Sequence, residues 1–259
     1  MDKTGLLKNT LSAYKKICIA YSGGVDSAFL LSVAHNISGE DVTAVLIDSP
    51  VLARRDFNEA IEYLEKTGVI YEVIKENPLT SSEFCENNRM RCYYCKKIIC
   101  ESIREFAKQS GIETVADGQN ADDAQSAHRP GSKAAKETGV VSPLIDCGFT
   151  KEDIRFYSKQ LGLETWNKPS NSCLATRLPY GFKITQERLY IIEKAEDILR
   201  KRGMEGCRVR WHDTIARIEA PRCFFEMILN TPAITEEIKT LGFKYVTLDM
   251  EGFRSGSMN

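Results

Sequence analysis

Apolar runs and helix-like periods alternate along the first 165 residues of the chain. The apolar, β-branched runs predict strands over 17–21, 41–48, 70–75, 113–116 and 140–144. Apolar positions at helical spacing predict helices over 25–34, 54–66, 94–109 and 150–161. Strands that alternate with helices indicate an α/β fold built on a doubly wound parallel sheet. Such sheets bind ligands at the carboxyl ends of their strands.

This alternation stops near residue 166. Residues 166–182 have loop composition and no sustained period. Beyond them the pattern predicts a helix over 185–201 and strands over 207–211, 214–219 and 245–248. We therefore predict three parts: an α/β domain at 1–165, a functional linker at 166–184, and a smaller C-terminal α+β domain at 185–259 for the substrate or for oligomerisation.

Composition restricts the classes of partner. The formal net charge is −1 and the isoelectric point is near 6.4, so there is no global basic field to drive general nucleic-acid binding. No stretch approaches the ~18 apolar residues of a membrane helix, and the polar N-terminus differs from a signal peptide. We expect a cytoplasmic protein with neither a membrane partner nor a nucleic-acid partner.

Nine cysteines occur in this sequence. Reducing compartments keep thiols free, and an odd number cannot pair completely, so a disulfide framework is not expected. Five of them have no motif around them and are predicted to be small core residues: Cys18, Cys100, Cys147, Cys207 and Cys223.

A glycine-rich loop lies where the first predicted strand turns into the first predicted helix. Its residues are Ser22, Gly23, Gly24, Val25, Asp26 and Ser27. Paired glycines allow successive N–H groups to form an anion-binding nest, to which the helix N-terminus adds positive potential. The loop lacks the lysine of a Walker loop and the spacing of a dinucleotide loop. It therefore predicts a phosphate site of another class.

A second candidate site consists of cysteines. Cys92 and Cys95 form a C-x-x-C pair, a spacing shared by redox dithiols, zinc sites and iron–sulfur sites. Cys173 lies in the predicted linker. If the linker folds over the strand ends, three thiolates can hold a [4Fe–4S] cluster with one iron open to a hydrosulfide. Zinc or no metal remains an alternative, and Cys85 and Cys100 compete as further ligands.

The glycine-rich loop resembles the pyrophosphate loop of the ATP pyrophosphatases, a group that includes GMP synthetase and the tRNA thiolases. Those enzymes cleave ATP between the α and β phosphates and adenylate a substrate oxygen. The resemblance implies that 1–165 is an ATP-binding domain of the pyrophosphate-loop ATP pyrophosphatase type.

Later segments resemble one family within that group, the LarE family of nickel-pincer nucleotide biosynthesis. The resemblance lies in Trp166–Lys168, Arg177–Gly181, Val209–Glu219, Tyr245–Asp249 and Gly252–Gly256. It implies an enzyme that adenylates a carboxylate of a pyridinium dicarboxylic acid mononucleotide, releases pyrophosphate, and lets sulfur displace AMP to give a thiocarboxylate.

The family has two branches that differ in their source of sulfur. In one, an enzyme cysteine is sacrificed, but Ser172 occupies that position here and cysteine follows one residue later. The other carries a [4Fe–4S] cluster on three cysteines, which Cys92, Cys95 and Cys173 fit. The resemblance therefore favours a cluster fed by sulfide or another sulfur donor, with the sacrificial branch as the alternative.

Several charged residues are candidates for binding nucleotide and substrate. Mg²⁺ and the loop amides are expected to stabilise the pyrophosphate, with Asp26 near the metal or at the helix start. Arg208 and Arg210, two apart on a predicted strand, share a face that suits a mononucleotide phosphate, and a solvated strand face is the alternative. Arg177 and Arg254 are weaker candidates for the same anion.

Two further residues have two interpretations each. Lys96 can neutralise a carboxylate or phosphate, or be an ordinary helix lysine. The resemblance relates Glu196 to an auxiliary metal at subunit contacts of a homo-oligomer, and a solvated helix face is the alternative. The three histidines lack ligand spacing and are predicted to be structural: His35, His128 and His212.

Two rival functions remain at this point. A tRNA thiolase also joins a pyrophosphate loop to cysteines, but it needs several phosphate contacts and usually an appended RNA-binding module, and near-neutral charge disfavours it. A non-catalytic iron–sulfur or zinc protein that binds nucleotide is the second rival. Pyrophosphate release from ATP separates an enzyme from such a carrier.

Overall fold

The computed structural model of the chain describes residues 2–125, 130–169, 172–254 and 257–258. The chain folds into two compact units. Unit 1 combines the chain up to Pro78 with the stretch that begins at Met90. Unit 2 combines Leu79–Arg89 with the chain from Ser172 onward. The three-part division of the sequence stays a prediction.

Strands and helices alternate as the sequence predicts. Within the described residues, the strands are β1 (Ile17–Tyr21), β2 (Val42–Asp48), β3 (Ile70–Lys75), β4 (Thr114–Asp117), β5 (Arg208–His212), β6 (Ile215–Glu219) and β7 (Tyr245–Leu248). The α-helices in the same residues are α1 (Lys3–Ser12), α2 (Val25–Ser38), α3 (Arg54–Thr67), α4 (Ser82–Cys85), α5 (Arg91–Gln109), α6 (Ala121–Gln125), α7 (Pro130–Glu137), α8 (Pro143–Asp146), α9 (Lys151–Gln160), α10 (Gln186–Arg200), α11 (Phe225–Leu229) and α12 (Pro232–Thr240). None of these helices is long and apolar enough to cross a membrane.

Unit 1 is built on a parallel sheet whose described strands run in the order β3-β2-β1-β4. The chain moves outward from β1 to β3 and then returns to place β4 on the other side of β1. In open α/β sheets such a reversal marks the place where ligands bind, here beyond the carboxyl ends of β1 and β4. The α/β parallel fold is therefore confirmed, and the glycine-rich loop follows β1 at this point of the sheet.

Alternating side chains of β1 enter two different hydrophobic layers. Ile17, Ile19 and Tyr21 belong to a buried cluster with residues of α1, α2, α3 and α9. Cys18 lies in a second cluster with Ile103 of α5 and other residues of α5 and α7. A strand buried on both faces is typical of a doubly wound sheet, because helices cover each side.

Three features of unit 1 differ from the sequence prediction. The predicted strand at 140–144 is wrong: Val141 forms an isolated parallel bridge to Ala116, and α8 begins at Pro143, which lacks the N–H that a central strand needs. The helix α1 was not predicted. The helix α5 begins at Arg91 rather than near residue 94, so both cysteines of the C-x-x-C pair lie in its first turns.

Unit 2 contains a small mixed sheet and confirms the predicted α+β pattern. In it β5 pairs with β6 antiparallel, and β6 pairs with β7 parallel. One face of this sheet packs on α10 and α12 through apolar residues such as Leu199, Val209, Ile218 and Ile238. The Thr185 side chain accepts from the Arg188 N–H and so fixes the start of α10.

Residues 79–89 join unit 2 through a clamp around Asn87. This residue is fully buried and has a left-handed φ of 53°. Its side-chain amide donates to the carbonyls of Pro179 and Phe182, both at 2.8 Å. Its own carbonyl accepts from the Gly181 N–H at 3.1 Å. Because a short polar side chain tolerates the left-handed region and can satisfy two carbonyls, asparagine suits this position.

We expect Asn87→Ala to lower the free energy of unfolding by about 1–3 kcal/mol, because two half-buried carbonyls lose their donor. Urea unfolding of the full chain, followed by circular dichroism, measures the change. The matched control is Asn230→Ala at an exposed asparagine of unit 2, with an expected effect within about 0.5 kcal/mol. Equal midpoints for Asn87→Ala and the wild type would contradict this role of the clamp.

Candidate functional site

The glycine-rich loop forms a turn that is closed by its own serines. The Ser22 N–H donates to Ser27 Oγ at 3.2 Å, and that hydroxyl donates to the Gly24 carbonyl, also at 3.2 Å. Gly23 has a φ of +72°, which a side chain rarely adopts. Gly24 precedes α2 without a side-chain cap, and Val25 begins the helix as a buried residue. The first N–H groups of α2 are thus available for an anion.

The segment after β4 approaches this loop at Gly118. A Cβ atom on Gly118 would lie 2.7 Å from the Ser27 backbone nitrogen and 2.9 Å from its Cα. Such distances are below any normal contact, so glycine is required for the two segments to meet. Sequence reasoning missed this role; a glycine two residues after the predicted strand was the available signal.

Asp26 lies at the start of α2 beside a lysine that the sequence did not single out. The Lys151 ammonium donates to Asp26 Oδ2 at 2.6 Å. Within the described residues, Asp26 Oδ1 is buried without a hydrogen-bond partner. Burial raises the pKa of Asp26, and Lys151 opposes that rise. Lys151 is the first residue of α9, after the Thr150 capping box.

Lys96 connects the cysteine-bearing helix α5 to the end of β4. Its ammonium lies 2.8 Å from Asp117 Oδ2, and that carboxylate also accepts from Gln119 and Ser142. Although burial favours the neutral form, Lys96 and these donors hold the pKa of Asp117 below its usual range. Burial disfavours the Lys96 ammonium, but Asp117 raises the pKa of Lys96. Lys96 is therefore not an ordinary exposed helix lysine.

Cys92 and Cys95 are accessible thiols at the start of α5. Cys92 is exposed and Cys95 is partly buried. Their spacing of three residues places both on one side of the helix. Cys173 is partly buried in unit 2, where it precedes a 3₁₀ turn over Leu174–Arg177. In the part of the chain that the structure describes, no group of three His, Cys, Asp or Glu side chains is arranged to hold a metal ion.

The other cysteines fit less well as ligands. The Cys85 thiol donates to the Leu79 carbonyl at 3.2 Å. Cys100 is buried, and burial raises the pKa of its thiol. Burial likewise raises the pKa of Cys18 and Cys207 to about 12. Of the five cysteines predicted to be core residues, Cys223 is exposed and four are buried: Cys18, Cys100, Cys147 and Cys207.

Two candidate arginines of unit 2 lie on β5, and both are buried. Arg208 is 7% exposed and Arg210 is 5% exposed, so the alternative of a solvated strand face is wrong. The Arg208 guanidinium donates to the Cys207 carbonyl at 2.9 Å and lies over the Phe253 ring. Arg210 donates from Nε and Nη2 to Glu219 Oε2, at 2.9 and 2.7 Å.

The remaining candidates of unit 2 have charged partners. Arg177 is 2% exposed and pairs with Glu196, which is also buried, so the alternative of a solvated helix face for Glu196 is wrong. Arg254 is exposed and pairs with Glu251. His212 is half-buried, and His35 bonds the Gly39 carbonyl through Nδ1. His128 lies outside the described residues.

No protein-family model matches the chain. An uncharacterized protein of Synechocystis is 36% identical over 256 residues, which is 98% of this chain and 95% of that protein. Pyridinium-3,5-bisthiocarboxylic acid mononucleotide synthase of Lactiplantibacillus plantarum is 34% identical over 259 residues, which is 99% of this chain and 94% of that enzyme. A glutamine-hydrolyzing GMP synthase subunit of Thermoplasma volcanium is 28% identical over 209 residues, 74% of this chain and 65% of that protein.

The parallel sheet, the loop after β1 and the similarity to GMP synthase define the class as the pyrophosphate-loop α/β enzymes. Within this class, the chain belongs to the family of pyridinium-3,5-bisthiocarboxylic acid mononucleotide synthase, the LarE family.

We expect Gly118→Ala to raise the Kd for ATP at least about tenfold, because the loop must shift and lost charge-assisted hydrogen bonds cost about 1.5–3 kcal/mol. Isothermal titration calorimetry on the full chain measures this change. Gly131→Ala is the matched control, since its new Cβ would lie 3.8 Å from the nearest atoms, an ordinary contact. Equal affinities of Gly118→Ala and the control would contradict the proposed contact.

Proposed function

We propose that this protein is an ATP-dependent sulfur transferase that converts a carboxylate of a pyridinium dicarboxylic acid mononucleotide to a thiocarboxylate. The observation that carries the proposal is the 34% identity, over 259 residues, to a synthase of the corresponding bisthiocarboxylic acid mononucleotide. The phosphate loop after β1 supports the use of ATP.

In the first step, a substrate carboxylate oxygen attacks the α-phosphorus of ATP. The bond to the bridging oxygen breaks, and pyrophosphate leaves with the developing negative charge. The N-terminus of α2 and the loop N–H groups can stabilise that charge. Asp26 Oδ1, buried without a partner among the described residues, is a hard oxygen ligand suited to Mg²⁺. Lys151, 2.6 Å from Asp26, adds a positive charge beside it.

In the second step, a sulfide nucleophile attacks the carbonyl carbon of the acyl adenylate. A carbon–sulfur bond forms, the carbon–oxygen bond to AMP breaks, and AMP leaves with the electron pair. Ser172 cannot supply this sulfur, because its side chain carries oxygen where the sacrificial branch carries sulfur. We therefore assign the sulfur source to a [4Fe–4S] cluster on Cys92, Cys95 and Cys173, loaded from sulfide or another donor.

The residues fit such a cluster in their chemistry. Cys92, Cys95 and Cys173 are exposed or partly buried, whereas burial holds Cys18 and Cys207 as neutral thiols. When bound, a cluster with three protein thiolates supplies an iron without a protein ligand, at which sulfur can be held. The buried Cys100 and the hydrogen-bonded Cys85 are poorer ligands.

The proposed site for the substrate phosphate is the face of the small sheet opposite the one that packs on α10 and α12. Arg208 lies opposite Glu219, and Arg210 lies opposite Arg217, in the β5–β6 register. Arg217 also pairs with Asp249, so arginines outnumber carboxylates on this face. Guanidinium groups suit a phosphate dianion because they offer paired donors. Arg254 follows Asp249 by five residues, is exposed, and is a further candidate for this anion.

We further propose a cytoplasmic homo-oligomer that acts on a small mononucleotide and needs neither membrane nor nucleic acid. The formal net charge of −1 supports this over a tRNA thiolase, because tRNA binding relies on many phosphate contacts.

We expect Cys92→Ala, Cys95→Ala and Cys173→Ala each to lose the broad visible absorption of the anaerobically reconstituted protein and to lose thiocarboxylate formation. Two thiolates cannot hold the cluster securely. With added sulfide, the wild type should form more than one thiocarboxylate per chain. Absorption spectroscopy, iron and sulfide assays and mass spectrometry of the product measure these effects.

Two controls accompany these variants. Ser172→Ala and Cys223→Ala, the latter at an exposed cysteine, should keep the absorption. Dehydroalanine at position 173 after a single turnover would return the protein to the sacrificial class. A fully assembled cluster in Cys173→Ala would remove that residue from the ligand set.

A further inference from the structure

Arg177 is a buried guanidinium whose two edges contact different parts of unit 2. One edge faces a carboxylate on α10: Nε donates to Glu196 Oε1 at 2.9 Å and Nη2 to Oε2 at 3.2 Å. Both side chains are 2% exposed. A two-pronged pair of this kind fixes the plane of the guanidinium as well as its position.

The other edge of the guanidinium holds the turn that carries Cys173. Arg177 Nη1 lies 2.6 Å from the Ser172 carbonyl and 3.1 Å from the Cys173 carbonyl. The same nitrogen lies 2.9 Å from Ser172 Oγ and 3.1 Å from Thr176 Oγ1. One charged group thus contacts the peptide groups on both sides of Cys173. In addition, the Thr176 N–H donates to the Cys173 carbonyl at 3.0 Å.

Glu196 connects this arrangement to the strand that bears the substrate arginines. Its Oε1 also accepts from the Val209 N–H at 3.1 Å, between Arg208 and Arg210 on β5. A buried carboxylate that lost its guanidinium would be strongly unfavourable, so the two groups depend on each other. The pair therefore links three segments: the Cys173 turn, α10 and β5.

We propose that Arg177, held in place by Glu196, is a positioning residue that fixes the backbone of Cys173 for sulfur transfer. This inference rests on the proposed function of Cys173. It assigns Arg177 to the enzyme's own backbone instead of the substrate anion, and it gives Glu196 a guanidinium partner instead of an auxiliary metal. Arginine is required because a lysine has one nitrogen and cannot contact the carboxylate and two carbonyls with a rigid fork.

The test compares three variants of the full chain: Arg177→Lys, Glu196→Gln, and the double variant R177M/E196Q. Removing both charges of a buried pair is often neutral for stability, and the Gln oxygen can still accept from the Val209 N–H, so the double variant separates folding from positioning. The matched control is R202M/E237L, which removes another ion pair of unit 2. Thermal melting, substrate-dependent pyrophosphate release, thiocarboxylate formation and amide hydrogen exchange over residues 173–178 are measured on each.

We expect the double variant to melt close to the wild type and to release pyrophosphate at a similar rate. Thiocarboxylate formation should fall about 100-fold, the size of effect that a displacement of about 1 Å produces. Amides over residues 173–178 should exchange faster, while those of α10 stay unchanged. Arg177→Lys should likewise lower thiocarboxylate formation while pyrophosphate release stays close to that of the wild type.

A double variant that restores thiocarboxylate formation along with stability would overturn the proposal, because the pair would then serve folding alone. Unchanged exchange over residues 173–178 in a folded double variant would also overturn it. A wild-type protein that forms no thiocarboxylate would instead contradict the proposed function. The exchange measurement on metal-free protein would still decide whether Arg177 orders the Cys173 turn.

Discussion

Parallel pairing of the strands in unit 1 is the constraint on which the proposed nucleotide site depends. Because β1 pairs in parallel with both β2 and β4, the carboxyl ends of these strands lie at one edge of the sheet. The Ser22–Ser27 turn leaves β1 there, and Gly118 follows β4 closely enough to contact it. Helices that pack on both faces of the sheet through buried apolar side chains hold the strands in this arrangement. The position of the proposed phosphate site is therefore a consequence of the sheet topology.

Buried and partly buried ion pairs connect the fold to the proposed chemistry. Lys96 and Asp117 join the cysteine helix to β4 within unit 1, and Arg177 and Glu196 join the Cys173 turn to α10 within unit 2. Such pairs contribute little net stability when compared with well-packed apolar groups, since desolvation offsets their attraction. Their value lies in geometry, because a charged group fixed by several hydrogen bonds has one orientation. We therefore expect such pairs near reacting groups.

Local patterns predicted most of the fold. The limits of β1, β3 and β7 agree with the sequence prediction, because short β-branched runs bounded by polar residues leave little ambiguity. The error at 140–144 arose because an apolar run was given more weight than Pro143, which begins a helix instead. The early start of α5 was missed because Arg91 and Cys92 carry no capping residue before them.

The candidate site was predicted in part. The phosphate loop and the cysteine pair have local spacing that a sequence reveals. Lys151 and Gly118 were missed because their roles depend on contacts with residues far away in the chain. Arg177 was found but assigned to substrate, since no local pattern shows that a carboxylate 19 residues later takes its guanidinium. Pairings of this kind become visible only in three dimensions.

Transfer of oxygen from the substrate to AMP tests the central claim most directly. The mononucleotide is prepared with oxygen-18 in its carboxylates and incubated with the protein, ATP, Mg²⁺ and a sulfide source under anaerobic conditions. Adenylation followed by displacement with sulfur predicts AMP that carries one labelled oxygen, in an amount equal to the thiocarboxylate formed. Unlabelled AMP, or ADP in place of AMP and pyrophosphate, would contradict the account.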